Sequence, residues 1–314
     1  MHSLTGRSSL GDQGGKEEAM EFIRKKGMEA MEVVERGGVP FLVFPKLSAA
    51  EGVVHGFSTR QGGVSRGIFS SMNLSFTRGD EEECVRENYA RLGKAVGFDC
   101  GRLVLSDQTH TANIRVVTEE DAGKGFVRPK DYVDVDGLVT NVPGLTLATF
   151  YADCVPLFLV DPVHKAVGLS HSGWKGTVKR IGKRTVEVMQ ERYGSRPEDL
   201  LAAIGPSICQ DCYEVSKDVI QQFQETFMPP QWEEIFYQKP NGKYQLNLWK
   251  ANELIFREAG LKNSQIVTTD LCTCCNPKLL FSHRASKGKR GNLGAFLMLK
   301  GEMDDGADGM KNAF

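Results

Sequence analysis

The 314-residue sequence lacks the motifs by which several large enzyme classes bind cofactors or arrange a nucleophile. It contains no G-x-x-x-x-G-K-[ST] phosphate loop and no G-x-G-x-x-G after a predicted strand. A G-x-S-x-G elbow and an H-E-x-x-H helix are also missing. These absences exclude P-loop nucleotidases, Rossmann dehydrogenases, α/β-hydrolases and zincin proteases, and leave other enzyme classes open.

An excess of charge of either sign is also missing. The 39 Lys and Arg residues balance 40 Asp and Glu residues, which gives no electrostatic basis for nucleic acid or a membrane as the main partner. No apolar run approaches the ~18 residues of a transmembrane helix, and the N-terminus has no apolar signal-peptide core. We therefore expect a cytoplasmic protein whose eight cysteines are mostly reduced.

The composition, 40% hydrophobic and 25% charged, is that of a globular chain long enough to bury its own core. The sequence predicts an N-terminal extension over residues 1–37, partly disordered or helical, a single domain over 38–301 and a C-terminal tail over 302–314. Within the extension, apolar residues at roughly helical spacing predict a helix over 17–35.

The order of the predicted elements indicates an α+β fold with mixed β-sheets flanked by helices, because strands come in series and helices in groups. Short apolar runs between turn signals predict strands at 41–44, 102–106, 113–118, 133–140, 145–151, 155–160, 165–171, 200–205, 264–269 and 292–299. Helical periodicity predicts helices at 83–97, 176–193, 216–227 and 247–259. The Gly- and Ser-rich stretch 53–77 is predicted to be mostly loop.

Three metal-ligand residue types stand at the ends of predicted strands: His110, Cys154 and His171. Strand ends on one edge of a sheet can bring such residues together, and two imidazoles with one thiolate suit Zn²⁺. Three protein ligands leave a fourth position open, as in catalytic zinc sites. Two alternatives remain open. His110 could be a turn residue, Cys154 a core thiol and His171 a core histidine. Cys154 and His171 could also form a nucleophile pair.

A set of short motifs resembles the YfiH/YlmD family, which is also called the laccase-domain or purine nucleoside phosphorylase family. The motifs STRQGGVS, SSMNLS, DQTH, YADCVPL, HSGWKGT, IGPSI…CYEV, CT and FSHR stand in family order from about Val54 to Leu299. The resemblance implies a YfiH-like α+β catalytic domain with a mononuclear zinc site. Carried over by motif, the zinc ligands are His110, Cys154 and His171.

The resemblance also implies a zinc-dependent purine nucleoside phosphorylase that acts on adenosine, inosine, guanosine and methylthioadenosine, with adenosine deaminase side activity. Its partners are then purine nucleosides and phosphate, and we expect a monomer or weak homo-oligomer. The six histidines include no H-x-H pair, which argues against a multicopper laccase, although Cu²⁺ can occupy such a site in vitro. A metal- or Cys-dependent hydrolase or amidase of a cell-wall precursor and a copper-dependent polyphenol oxidase remain as alternatives.

Within this resemblance, three residues are candidate catalytic groups. Lys175 precedes the predicted helix 176–193, whose N-terminus could bind phosphate, and Arg60 could hold phosphate oxygens bidentately. The alternative for Lys175 is a solvated surface lysine. Asp153 is either an orienter of the neighbouring Cys154 or, if it faces the pocket, an acid or base for the purine.

Four further residues are predicted to bind substrate: Asn73, Gln108, His283 and Arg284. Asn73 could instead form an Asx turn, and His283 with Arg284 could form a structural salt bridge and turn.

Five cysteines lie near the end of the set, at positions 209, 212, 272, 274 and 275. We interpret them as packed thiols, with a Cys₄ zinc site or a redox pair left open.

Overall fold

The computed structural model describes residues 21–25 and 30–301. Within these residues the strands are β1 (Glu32–Arg36), β2 (Val39–Val43), β3 (Val53–Ser58), β4 (Leu103–Leu105), β5 (Ile114–Val116), β6 (Gly137–Thr140), β7 (Thr146–Tyr151), β8 (Val155–Asp161), β9 (Ala166–Ser172), β10 (Leu201–Ile204), β11 (Glu214–Val215), β12 (Phe236–Gln238), β13 (Tyr244–Leu246), β14 (Ile266–Thr268) and β15 (Leu293–Leu299). The α-helices are α1 (Pro45–Ser48), α2 (Glu82–Val96), α3 (Trp174–Val178), α4 (Ile181–Tyr193), α5 (Lys217–Thr226), α6 (Pro229–Ile235), α7 (Leu248–Glu258) and α8 (His283–Ser286). None of these described helices has the length and hydrophobicity to span a bilayer.

The strands form two large mixed sheets and one small sheet. The first has the order β1-β2-β3-β15-β7-β4 and the second β14-β10-β8-β9-β6-β5. Neighbouring strands are antiparallel except for β4 with β7, β10 with β14 and β5 with β6, which are parallel. The small antiparallel sheet has the order β11-β13-β12. The predicted α+β fold with mixed sheets is confirmed.

The two large sheets pack face to face, with helices on the outer face of each. Side chains from both sheets fill the space between them, for example Phe57 and Leu147 from the first and Phe158 and Leu169 from the second. Helices α4 and α7 cover the outer face of the second sheet, and α2 covers that of the first. Strands β8, β9 and β15 are buried along their whole length. The sequence of β15 is therefore apolar throughout, and those of β8 and β9 are apolar up to Asp161 and Ser170.

Two local predictions are wrong. The helix over 17–35 fails at Glu32–Arg36, which is an edge strand paired along its length with β2, so the sheet crosses the predicted boundary at residue 37. Residues 17–20, 26–29 and the tail 302–314 lie outside the described residues. The helix over 176–193 is two helices, because Arg180 has a left-handed φ of 58°. The stretch 53–77 is mostly loop as predicted, although strand β3 occupies its beginning.

Candidate metal centre and active site

Three separate segments bring His110, Cys154 and His171 together, and we call these residues the ligand triad. His110 lies in the loop after β4, Cys154 in the turn between β7 and β8, and His171 near the end of β9. Their ligand atoms all lie within 4.8 Å of one another, and Cys154 Sγ is 3.8 Å from His110 Nε2. His171 is buried whereas His110 is exposed, so the triad lies at the protein surface.

The buried carboxylate of Asp136 positions two members of the triad. Its Oδ1 accepts the His171 Nδ1 at 2.8 Å and the backbone N–H of His110 at 3.1 Å. Its Oδ2 accepts the backbone N–H groups of Thr109 and Thr111 and the Thr111 hydroxyl. These bonds hold the His110 turn, where φ is 66°, and leave Nε2 of His171 for a ligand.

The charges at the triad favour a protonated His171 between the Cys154 thiolate and the Asp136 carboxylate. Burial alone would raise the pKa of Cys154, but His171 and His110 outweigh it and lower that pKa to about 6. Burial alone would lower the pKa of His171, but Cys154 and Asp136 raise it to about 9. For Asp136, burial is outweighed by hydrogen bonds from His171 and Thr111, which lower its pKa to about 2.

The triad fits a mononuclear metal site. A thiolate and two imidazoles are borderline donors that suit Zn²⁺, and the carboxylate–histidine pair is the usual outer support of such a ligand. One side of the triad is open, because two cavities of about 250 Å³ and 380 Å³ are both lined by His110 and Cys154. The residues can therefore hold one ion with a free position facing a substrate.

Replacing Asp136 by asparagine is expected to weaken zinc binding about 10- to 100-fold. The amide has one acceptor oxygen, and its NH₂ group would face the N–H donors of Thr109 and Thr111 or the ring of His171. Competition with a chromogenic chelator measures the zinc dissociation constant. The matched control is Asp134→Asn, an exposed carboxylate in the same loop, which should bind zinc as the unchanged protein does. Equal zinc affinity in both variants would contradict the role of Asp136 in positioning the zinc ligands.

The two cavities differ in their lining. The first contains the triad side chains His110 and Cys154 with Asp153, Trp174, Lys175, Ile208, Tyr213 and Leu248. The second is lined by polar and charged groups beside the triad, among them Ser75, Thr77, Gln108, Lys130 and Arg290. Both cavities offer aromatic side chains to a flat ring, Trp174 and Tyr213 in the first and Phe150 and Tyr151 among those in the second. The second also contains Arg290, whose guanidinium suits an anion.

Arg290 is a site residue that the sequence analysis missed. Its half-buried guanidinium lines the second cavity together with Cys154 and His171, and its Nε is buried without a hydrogen-bond partner. None of the ion pairs among the described residues includes it. Burial and nearby Arg78 lower the pKa of Arg290 to about 10. The only signal for Arg290 in the sequence is the basic run KGKR over residues 287–290, which ends at this residue.

Asp153 lies in the turn before Cys154 with a φ of 89°, rather than in a strand. It lines the first cavity, yet both carboxylate oxygens are already engaged. Oδ1 accepts the Thr273 hydroxyl at 2.6 Å and Oδ2 the backbone N–H of Arg284 at 2.7 Å. This arrangement favours an orienting role for the Cys154 turn.

Two of the predicted substrate and phosphate contacts are occupied within the fold. The guanidinium of Arg60 donates to the carbonyls of Ser70 and Pro277 and lines neither cavity of the triad. Asn73 is fully buried and forms an Asx turn, in which its Oδ1 accepts from the backbone N–H groups of Ser75 and, across the fold, Asn292.

Gln108, Lys175, His283 and Arg284 take different positions. Gln108 bridges to the backbone of Phe150 and lines the second cavity, and exposed Lys175 lines the first. Helix α3, which contains Lys175, has only five residues. Lys175 therefore does not stand at the N-terminus of the long helix that the sequence predicted. His283 and Arg284 are exposed on α8, and the Arg284 guanidinium donates to two carbonyls of the adjacent loop.

Comparison with known proteins assigns the family. A family model described as multi-copper polyphenol oxidoreductase laccase matches residues 54–300. The chain belongs to this laccase family. The purine nucleoside phosphorylase YlmD of Bacillus subtilis is 39% identical over 249 residues, which cover 79% of this chain and 89% of that protein.

Two further proteins are similar to this chain over most of their length. The adenosine deaminase RL5, from an unknown prokaryotic organism, is 36% identical over 244 residues, 76% of this chain and 92% of that protein. The crystal structure of the YfiH protein of Bacillus licheniformis has a TM-score of 0.81 at 34% identity and covers 87% of this chain and 100% of that one. The resemblance to the YfiH/YlmD family is confirmed.

Proposed function

We propose that the protein is a zinc-dependent purine nucleoside phosphorylase that works in the cytoplasm. It would convert adenosine, inosine, guanosine and methylthioadenosine to the base and the sugar 1-phosphate. The observation that carries this proposal is Arg290, a guanidinium without a carboxylate partner in the same cavity as Cys154 and His171. Its Nη1 donates to the Gly291 carbonyl and to the Asn292 side chain, whereas Nε has no partner. A partly buried arginine that lacks an ion pair beside a metal site is suited to an oxyanion such as inorganic phosphate. The name of the 39% identical relative supports the same reaction.

Each of the two cavities would bind one of the two substrates. Arg290 holds the phosphate oxygens, and the ring of Trp174 with Tyr213 gives the purine an apolar surface. Zinc at the triad would supply a Lewis acid at the junction. During the reaction the glycosidic C–N bond breaks, a phosphate oxygen bonds to the sugar carbon, and the purine leaves with a proton. The ammonium of Lys175, which lies 5.7 Å from the centre of the Trp174 ring, would hydrogen-bond the departing base.

Adenosine deamination is a second candidate activity, favoured by the similarity to the RL5 deaminase. It needs water in place of phosphate at the same open position, so the triad serves both reactions. A hydrolase or amidase would also use water, whereas a polyphenol oxidase would need copper. Dependence on phosphate therefore separates the first proposal from all the others.

The test is chromatographic. The zinc-loaded full-length protein is incubated with inosine, with and without inorganic phosphate, and hypoxanthine is measured. Release that depends on phosphate supports the phosphorylase. Release of equal size without phosphate indicates a nucleoside hydrolase, and no release in either tube overturns the proposal. Adenosine is tested in parallel, and inosine formed from it reports deamination.

Replacing Arg290 by glutamine is expected to raise the KM for phosphate about 10- to 100-fold, the value of about one lost hydrogen bond between charged groups. The KM for inosine should change little, because the purine lies in the other cavity. Steady-state kinetics with each substrate varied in turn separate the two constants. The control is Arg91→Gln, an exposed arginine paired with Glu87 on α2. A fall in kcat with an unchanged KM for phosphate would speak against the phosphate role.

A further inference from the structure

Four cysteine thiols outside the ligand triad form a compact group, which we call the cysteine cluster. It consists of Cys209, Cys212, Cys272 and Cys275, whose Sγ atoms all lie within 4.8 Å of one another. The Sγ atoms of Cys212 and Cys275 are 3.5 Å apart. In a tetrahedral Zn–S₄ site with bonds of ~2.3 Å, sulfur atoms are separated by about 3.8 Å. The cluster therefore has the dimensions of a four-coordinate site.

The local backbone presents these thiols as two turns of the C-x-x-C type. A short 3₁₀ turn, Gln210–Cys212, closes the first, and the Cys212 N–H donates to the Cys209 carbonyl at 3.1 Å. In the second, Asn276 N–H bonds back to the Cys272 carbonyl at 3.2 Å. The backbone N–H of Cys209 donates to the Cys272 sulfur at 3.2 Å, a contact that stabilises a thiolate.

We propose that the cysteine cluster is a structural Cys₄ zinc site, separate from the ligand triad. Two C-x-x-C turns that supply all four ligands are the usual design of closed zinc sites. A redox pair needs only two thiols, so it leaves the convergence of the second pair unexplained. Cys209 and Cys272 are buried while Cys275 lines a surface groove, which gives the ion a route to the cluster.

The position of the cluster indicates what the ion would hold together. The first turn continues into Tyr213, and Ile208 precedes it; both side chains line the cavity beside the triad. The second turn contacts the N-terminal segment, where the Ile23 N–H and carbonyl both bond to the Asn276 side chain. Zinc here would fix one wall of the active-site cavity and fasten the segment around Ile23 to it.

The experiment measures metal content and a cobalt spectrum on the full-length protein purified under reducing conditions. Elemental analysis should give about two zinc ions per chain, and about one in the double variant Cys212→Ser/Cys275→Ser. The variant His110→Ala/His171→Ala should also retain about one zinc ion per chain. Zinc at the cluster is thus measured independently of the triad and of the proposed activity. Cobalt(II) added to that triad variant after zinc removal should give the intense visible and near-ultraviolet bands of tetrahedral thiolate coordination.

The remaining thiol of this region supplies the matched control. Cys274 lies between two cluster members but is not one of them, and Cys274→Ser should keep both zinc ions. A loss of zinc in this variant would overturn the four-ligand assignment. So would iron in place of zinc, a Cys212–Cys275 disulfide detected by mass after alkylation, or the absence of thiolate bands in the cobalt-treated triad variant. This last measurement needs no cluster substitution, so it remains decisive if the double variant fails to fold.

Discussion

Replacing Cys154 by serine is expected to lower kcat/KM for nucleoside phosphorolysis by about 10³-fold or more, equivalent to about 4 kcal/mol of transition-state stabilisation. A serine hydroxyl is nearly the same size but is a poor zinc ligand, so the triad would lose its only anionic donor. Zinc content should fall together with activity. The fold should be retained, because the Cys154 turn is also held by the contacts of Asp153 with Thr273 and Arg284.

A second substitution separates a metal ligand from a nucleophile. Cys154→Asp keeps an anionic group that can bind zinc, so part of the zinc affinity and activity should return. A cysteine nucleophile would give no such rescue. Cys84→Ser, which removes a thiol on the distant helix α2, should be unchanged in both measurements. Full activity of metal-free Cys154→Ser would end the zinc proposal.

Replacing Gly173 by alanine, which adds one methyl group, is expected to lower zinc affinity and kcat/KM about 10- to 100-fold. A Cβ at this position would lie 2.7 Å from His110 Cδ2, which is closer than such atoms approach, and 3.1 Å from Cys154 Sγ, which is a tight contact. The φ of Gly173 is −73°, so the backbone itself accepts alanine. The effect would come from displacement of the two ligand side chains, and zinc affinity and steady-state kinetics measure it.

The matched control for this effect is Gly176→Ala, three residues further along the same helix. There the nearest atoms to a new Cβ are backbone oxygens at 3.4 Å, an ordinary contact. Alanine should keep activity and raise stability by up to about 1 kcal/mol, because it favours the helix. Activity of Gly173→Ala at the level of Gly176→Ala would show that His110 can move without loss of the site.

The sequence predicted best where one kind of signal was sufficient. Strands β8 and β9 are buried on both faces, so each contains a short apolar run, and they place Cys154 and His171 next to each other at one end of the sheet. Helix α2 buries one regular stripe and was predicted to within a residue at each end. Motif resemblance supplied the ligand triad, and the structure brings its three members together.

Prediction failed where long-range hydrogen bonds decide the structure. Strand β1 is mostly exposed and is held by its backbone ladder with β2, so its side chains carry no strand pattern. Asp136 acts through partners 25 to 35 residues away, and nothing in its neighbourhood in the sequence indicates them. Asn73 likewise reaches Asn292, 219 residues further along, which turned a predicted substrate contact into part of the core.

The hydrogen bonds of Asp136 also have a consequence for which metal the protein carries. They fix the His171 ring and the His110 turn without any help from an ion, so little conformational entropy remains to be lost on loading. A site that is built in advance imposes its own geometry on the ion, and this acts against the raw affinity of the Irving–Williams order, in which Cu²⁺ exceeds Zn²⁺. We therefore expect the prebuilt triad to resist the exchange of zinc for copper better than a site whose ligands are free to rearrange.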